Sequence, residues 1–192
     1  IQGITKEALP EFEALFGGEC TLKEEGNFFD YVYRGEALAS LAGKKLHSKR
    51  NHIHRFEEQN NWSFEPITPA NLPECIAMNA KWVKENAEEK QMDYSSEEKA
   101  LELVFSHFEA LGLEGGLLRS GGEVIAYTIG EVLNSDTYVT HFEKAFSHIQ
   151  GAYPMINREF AKQIMATHPE IFYVNREEDM GLENLRKAKL SY

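Results

Sequence analysis

The apolar positions of the chain fall into short runs with two periods. Leu9, Phe12 and Phe16 recur at helical spacing within residues 5–16, and Gly17-Gly18 ends the run. FFDYVYR at 28–34 alternates and is aromatic, which predicts a strand. GEALASLAG (35–43) predicts a short helix closed by Gly43. Residues 44–58 predict a helix that turns Leu46, Ile53 and Phe56 inward, with Lys45, Lys49 and His52 in one polar stripe. After a break at Asn60-Asn61, WSFEPI (62–67) reads as a strand. Thr68 is then the expected N-cap, and Pro69 the expected first residue, of a helix to about Ala87. That helix carries Leu72, Cys75, Ile76, Met78 and Trp82 inward. The charged run ENAEEKQMD separates it from a helix over 96–111, opened by a capping box from Ser95 to Glu98 and facing Leu101, Val104, Phe108 and Leu111 to the core. Strands at 116–120, 123–133 and 137–145, joined by Gly121-Gly122 and Asn134-Ser135-Asp136, form a meander. Gly151 opens a helix over 152–166, followed by a strand at 171–175 and a helix at 181–190. This order is mixed α/β.

Composition excludes several classes. A hydrophobic fraction of 42% and an aromatic fraction of 11% suffice for a packed core and are too rich for a disordered chain. No stretch nears the roughly 20 apolar residues of a membrane helix, and no basic-headed apolar leader stands at the start. The chain begins at Ile1 without Met and stops at LSY, so a piece of a longer protein is expected. Cys20 and Cys75 are too few for a disulfide scaffold and are expected as thiols in a reducing, cytoplasmic setting. The net charge of −11 argues against indiscriminate nucleic-acid binding. The cations are nevertheless clustered. KKLHSKRNHIHR (44–55) holds Lys44, Lys45, Lys49, Arg50 and Arg55 and no acid, a +5 block in a chain whose remainder is −16. Arg186, Lys187 and Lys189 form a second patch. Such patches either serve a local anion or are solvated helix faces.

RGEALASLAGKKLHSKRNHIHRF (34–56), FEPITPANLPECIAMNAKW (64–82), EVIAYTIGEVL (123–133), THFEKAFSHIQGAYPMINREFAKQI (140–164) and YVNREEDMGLENLRKAKLSY (173–192) together resemble the phosphatidylglycerol lysyltransferase C-terminal domain family. The resemblance covers nearly all of the chain. It implies a GNAT-like (acyl-CoA N-acyltransferase-like) fold with a central mixed, largely antiparallel sheet flanked by helices. Residues 1–61 would be the tail of a first GNAT-like half plus a basic connecting helix, and 62–192 a second GNAT-like domain. The rest of that first half, from the same protein, would be a partner, and peripheral membrane contact is conceivable. The family implies transfer of an aminoacyl group from aminoacyl-tRNA to a hydroxyl or amine. The alternatives are acetyl-CoA-dependent N-acetylation and a catalytically silent GNAT-like binding module. No tightly bound cofactor is expected, the donor (aminoacyl-tRNA or acyl-CoA) being a co-substrate.

Candidate residues follow from the chemistry. Acyl transfer needs a group to take the proton of the attacking acceptor, and Glu143, His141 and Glu131 on neighbouring predicted strands are candidates, Glu143 first. In an unbroken strand His141 and Glu143 share one face and Lys144 takes the other. SHIQGAYPM lacks the spacing of a CoA pyrophosphate loop. Gly151 either lets backbone approach a phosphate or is simply the glycine at a helix start. Asn175 and Glu177 could orient an amine while Arg186 and Lys187 hold a phosphate or carboxylate. Lys45, Lys49 and Arg50 are candidates for the phosphates of the donor. His47, His52 and His54 do not converge on a helix, so no metal site is expected.

Overall fold

The computed structural model describes residues 3–90 and 94–192, without the side chains of 88–90. The elements are α1 (Leu9–Phe16), β1 (Val32–Arg34), α2 (Gly35–Ser40), α3 (His47–Gln59), β2 (Trp62–Pro66), α4 (Leu72–Lys90), α5 (Ser95–Ser106), β3 (Glu114–Ser120), β4 (Glu123–Val132), β5 (Thr137–Ala145), α6 (Ala152–Thr167), β6 (Tyr173–Asn175) and α7 (Glu183–Leu190). Six strands form one sheet in the order β1-β6-β5-β4-β3-β2. All neighbours are antiparallel except β5 and β6, which α6 joins as a parallel pair. The fold is thus mixed α+β, with a largely antiparallel sheet between helices. Helix α6 packs on one face beside α2 and α3, and α4 on the other. Tyr138 marks the first face through an edge-on contact with Phe160 of α6, at 5.7 Å between centroids. Tyr127 marks the second, donating its hydroxyl to Asn79 of α4 at 2.8 Å. The core runs through both layers, with Phe56, Leu117, Leu118, Tyr127, Ile129, Met155 and Ile156 buried.

Several expected boundaries move, each for a local reason. Only Val32–Arg34 of the aromatic stretch 28–34 is a strand, because its sole partner, β6, has three residues. Helix α1 buries none of its residues. Thr68 does not cap α4. Its N–H instead meets Asn71 Oδ1 at 2.7 Å while its carbonyl takes the amides of Asn71 and Leu72, and the helix begins after that turn. Helix α4 runs on to Lys90, so part of ENAEEKQMD is helical and residues 91–93 lie outside the described residues. Tyr94, not Ser95, stands at the N-cap of α5, so Ser95 and Glu98 do not form the expected capping box there. Helix α5 stops at Ser106, whose hydroxyl bonds the Glu102 carbonyl at 2.6 Å. Leu111 lies beyond its end and is exposed.

Residues 32–59 pack onto this same sheet and its helix α6. β1 hydrogen-bonds to β6, and α2 lies along α6.

Candidate functional site

The parallel pair β5–β6 is short. It runs from Thr137↔Tyr173 to Val139↔Asn175, after which β6 ends while β5 continues to Ala145. Residues 140–145 of β5 therefore lose their neighbour on one side. At that point β5 also bulges, since Gly130 faces Thr140 and Ile129 faces Phe142, leaving His141 as the extra residue. Gly130 permits the close approach. A Cβ there would sit 2.0 Å from the Val139 carbonyl oxygen and 2.7 Å from the Tyr138 ring. The bulge resets the alternation. Glu143, opposite Thr128, points to the α6 face, while Lys144, opposite Tyr127, points to the α4 face. His141 lies on the Lys144 side, so the expectation that His141 and Glu143 share a face fails at this one inserted residue.

On the α6 face the Glu143 carboxylate is fixed by two donors. Arg176 Nη2 approaches Oε1 at 2.7 Å and Asn157 Nδ2 approaches Oε2 at 3.0 Å. Burial works against the Arg176 charge, but the Glu143 carboxylate, with Tyr192 and Tyr33, raises its pKa above the ordinary value. Five buried side-chain polar atoms among the described residues lack a hydrogen-bond partner. Three of them belong to residues around this carboxylate: Thr128 Oγ1, Asn157 Oδ1 and Arg176 Nη1. Tyr33 and Tyr192 cover the arginine, with ring centroids 5.8 and 5.1 Å from its Cζ.

On the α4 face His141 bridges two carboxylates, with Nδ1 2.8 Å from Glu177 Oε1 and Nε2 3.1 Å from Glu131 Oε1. Both ring nitrogens can donate at once only as the imidazolium. The hydrogen bond to Glu177 raises the pKa above its ordinary 6.5, aided by Glu131 against partial burial. A ring in that state can give a proton or clamp strands, but cannot accept a proton. Lys144 belongs to the same face, paired with Glu97 at 2.6 Å and lying 3.8 Å over the Trp82 ring.

The loop after β6 serves both faces through consecutive residues, Arg176 and Glu177, the latter in left-handed backbone at φ 56°. The loop is held from within. Asn175 Oδ1 accepts the Glu177 amide at 2.7 Å, and its Nδ2 donates to Asp30. The buried Lys189 ammonium collects the carbonyls of Arg176, Glu177 and Glu178. Arg186 is spent on Asp179, at 2.7 and 2.9 Å, and on Asn27. Arg186, with the Tyr31 hydroxyl, holds the Asp179 carboxyl well below the usual carboxylate range. Lys187 pairs with Glu183 on the surface of α7. Asn175, Arg186 and Lys187 thus build or flank the loop, while Glu177 reaches His141.

The basic segment divides in the same way. Arg50 Nη1 donates to the carbonyls of Leu41 and Gly43, closing the end of α2. Lys45 and Lys49 instead meet at Tyr192. Lys45 donates to its carbonyl oxygen, and Lys49 Nζ lies 4.2 Å from its ring centroid. Gly151, at φ 87°, is where α3 crosses the start of α6, and a Cβ would lie 2.5 Å from the His52 carbonyl oxygen. The Ala152 amide is used by Ile149, and Pro154 has none. The start of α6 is thus covered by α3 and short of free amides for a pyrophosphate. Among the described residues no His/Cys/Asp/Glu group fits a metal ion, and no helix is long and apolar enough to cross a membrane. A groove of about 430 Å³ between α4 and α5, lined by Ile76, Asn79, Leu101 and Phe105, touches none of the candidate residues.

Sequence reasoning missed Arg176, Asn157, Thr128 and Tyr192 as parts of the site, and it placed Lys189 in an anion-facing patch where the ammonium instead holds loop carbonyls. Asn157 alone carried a signal, being polar on the otherwise apolar face of α6.

The family model described as "Phosphatidylglycerol lysyltransferase, C-terminal" matches residues 1–192. No match is found among curated proteins. Among solved structures, a conserved protein of unknown function from Bacteroides thetaiotaomicron VPI-5482 is 42% identical, with a TM-score of 0.91 over 99% of this chain and 64% of that one. L-PGS from Bacillus licheniformis is 13% identical, with a TM-score of 0.54 over 86% of this chain and 56% of that one. A tandem GNAT protein from the clavulanic acid biosynthesis pathway is 9% identical, with a TM-score of 0.53 over 97% of this chain and 55% of that one. The last two likenesses establish the fold. The chain spans less than two thirds of each of these proteins.

Proposed function

The chain belongs to the phosphatidylglycerol lysyltransferase C-terminal family, and on that premise we propose that it moves an aminoacyl group from aminoacyl-tRNA to a hydroxyl or amine acceptor. The family and fold support a transferase of the GNAT-like type. The observation that carries the finer reading is the set of unpartnered atoms beside Glu143. Asn157 Oδ1 is an acceptor, Thr128 Oγ1 can accept, and Arg176 Nη1 is a donor. Two acceptors and one donor on a fixed carboxylate match an α-ammonium next to an ester carbonyl better than they match a plain acetyl group, which has no ammonium to offer.

In this reading Asn157 and Thr128 take the ammonium, and Arg176 Nη1 donates to the oxygen of the acyl carbonyl as negative charge builds there. The acceptor's oxygen or nitrogen bonds to the acyl carbon. The ester bond to the donor ribose breaks, and the acceptor's proton passes through Glu143 to the departing ribose oxygen. The acetyl-CoA alternative has less support, because α3 covers Gly151 where a pyrophosphate would lie.

The test compares the full-length protein with labelled aminoacyl-tRNA and labelled acetyl-CoA, offering a lipid extract and small amines as acceptors at low and high salt. The expected result is salt-sensitive transfer from tRNA that Glu143→Gln lowers by about 10²-fold or more. Acetyl transfer from acetyl-CoA, or aminoacyl transfer indifferent to Glu143→Gln, overturns the reading.

A further inference from the structure

Lys45 and Lys49 are two members of the +5 segment that function has not yet absorbed. Among the described residues neither makes an ion pair with a carboxylate, whereas Lys144, Arg119, Arg158, Arg176 and Arg186 all do. Burial lowers the Lys49 pKa, and the neighbouring Arg176 charge adds to this. A half-buried cation that rests on an aromatic face, with no carboxylate bonded to it, is placed to take a visiting anion.

Both ammonium groups converge on one residue, Tyr192, and its surroundings are specific. Lys49 Nζ sits 4.2 Å from its ring centroid and Arg176 Cζ 5.1 Å. Tyr33 meets the ring edge-on, at 6.1 Å and 75°. The Tyr192 carbonyl oxygen is the acceptor for Lys45. Two cations and an aromatic edge around a flat ring form a slot for any π-system, and arginine and tyrosine are the side chains on which nucleobases stack. Beside the slot lies a place for negative charge, at Lys45. Arg176, also against the ring, leads directly to Glu143.

We propose that this slot seats the terminal nucleotide of the donor, and that Tyr192 is a resident stand-in which the nucleotide displaces. The base takes the position of the ring beside Lys49 and Arg176. Its phosphate takes the position of the carbonyl oxygen at Lys45. An acyl group on its ribose then faces Glu143, Asn157 and Thr128. The assignment of the nucleotide to a donor rests on the proposed aminoacyl transfer; the slot itself rests on the geometry alone.

Adenosine 5′-monophosphate is the probe, with binding followed by calorimetry on the full chain. Tyr192→Gly is expected to tighten binding about tenfold over wild type by emptying the ring position, the backbone carbonyl at Lys45 still having to yield to the phosphate. Tyr192→Leu, which keeps an apolar side chain but loses the π face, is expected to tighten it less and guards against a folding defect in the glycine variant. Adding Lys45→Gln or Lys49→Gln to Tyr192→Gly is expected to reverse most of the gain. Ribose 5-phosphate, which has no base, should gain nothing from Tyr192→Gly. Equal affinity in wild type and both Tyr192 variants overturns the slot, as does an equal gain for ribose 5-phosphate, which would mark a basic surface only. The two proposals fail separately. Tighter nucleotide binding by Tyr192→Gly, in a protein whose wild type transfers no aminoacyl group, overturns the donor assignment and leaves the slot. Aminoacyl transfer whose donor KM ignores Tyr192→Gly overturns the slot and leaves the reaction.

Discussion

Strand β5 carries two charge clusters on its two faces, and they differ chiefly in how much water reaches them. On the α6 face the side chains of Glu143 and Arg176 are 10% and 13% exposed. On the α4 face those of His141, Glu131 and Glu177 are 29%, 42% and 39% exposed. The contacts are similar in length and kind, a cation against a carboxylate at 2.7 to 3.1 Å. Their consequences are not. A shielded pair polarises whatever lies beside it and leaves a stranded charge when broken, whereas a wetted pair is screened and mainly holds its elements together. The α6 face is thus suited to chemistry and the α4 face to clamping the loop that aims Arg176.

The largest effect should come from splitting the shielded pair. Arg176→Met leaves the Glu143 carboxylate without its cation and is expected to destabilise the fold by roughly 3–5 kcal/mol in chemical denaturation. Glu143→Gln strands the Arg176 guanidinium in turn, which cannot shed its charge, so it should cost a comparable amount of stability as well as lowering transfer. An Arg176→Met protein as stable as wild type would break the contrast, making the two faces equivalent.

Lys189→Met comes next, because it acts on both faces. Three backbone carbonyls lose a charged donor, an expected cost on the order of 2–3 kcal/mol. Since those carbonyls belong to Arg176, Glu177 and Glu178, both clusters should loosen. Amide exchange at 176–178 should quicken, and the His141 pKa should fall towards 6.5. A smaller and one-sided effect is expected of Gly151→Ala. Its Cβ would meet the His52 carbonyl and Phe56, at a backbone angle unfavourable to alanine, for about 1–2 kcal/mol. It should displace α3, and with it Lys45 and Lys49, leaving the His141 pKa untouched.

These contrasts bear on what the sequence could reveal. The helices and strands were legible because burial imposes periods of 3.6 and 2 on the apolar residues, and the acyltransferase-like order followed from them. The moved boundary at Thr68 lies where the Asn71 side chain takes the Thr68 amide, and at Ser95 the helix simply begins one residue early, with Tyr94 at the N-cap. Glu143 was legible as a carboxylate on a central strand. Its pairing was not, because a single inserted residue at His141 decides which face each neighbour takes, and no local pattern announces a bulge. Arg186 and Arg50 read as ligand-binding cations, yet one is bound to Asp179 and the other to carbonyls of the α2 end. A cation's sequence position gives its charge but not its partner. Arg176, among the acids of NREED, gave no sign that it turns towards Glu143.

The smallest expected effect sharpens the comparison most, because it tests the wetted face by sign. The folded pKa of His141 lies above its unfolded value of about 6.5. The imidazolium therefore stabilises the fold fully below pH 6.5, and this contribution fades as the pH rises through the folded pKa. Screening at this partly exposed site limits the contribution to about 1 kcal/mol or less. Denaturation of wild type and His141→Gln between pH 5 and 9 should show a gap in favour of wild type that is widest at the acid end and closes towards the alkaline end. The ring protons of His141 should titrate over the same interval. A gap that widened with pH would mean that the neutral ring is the one Glu131 and Glu177 hold, and that the α4 face offers a base after all. In that case the proton-handling role would have to be divided between the two faces of β5 rather than given to Glu143.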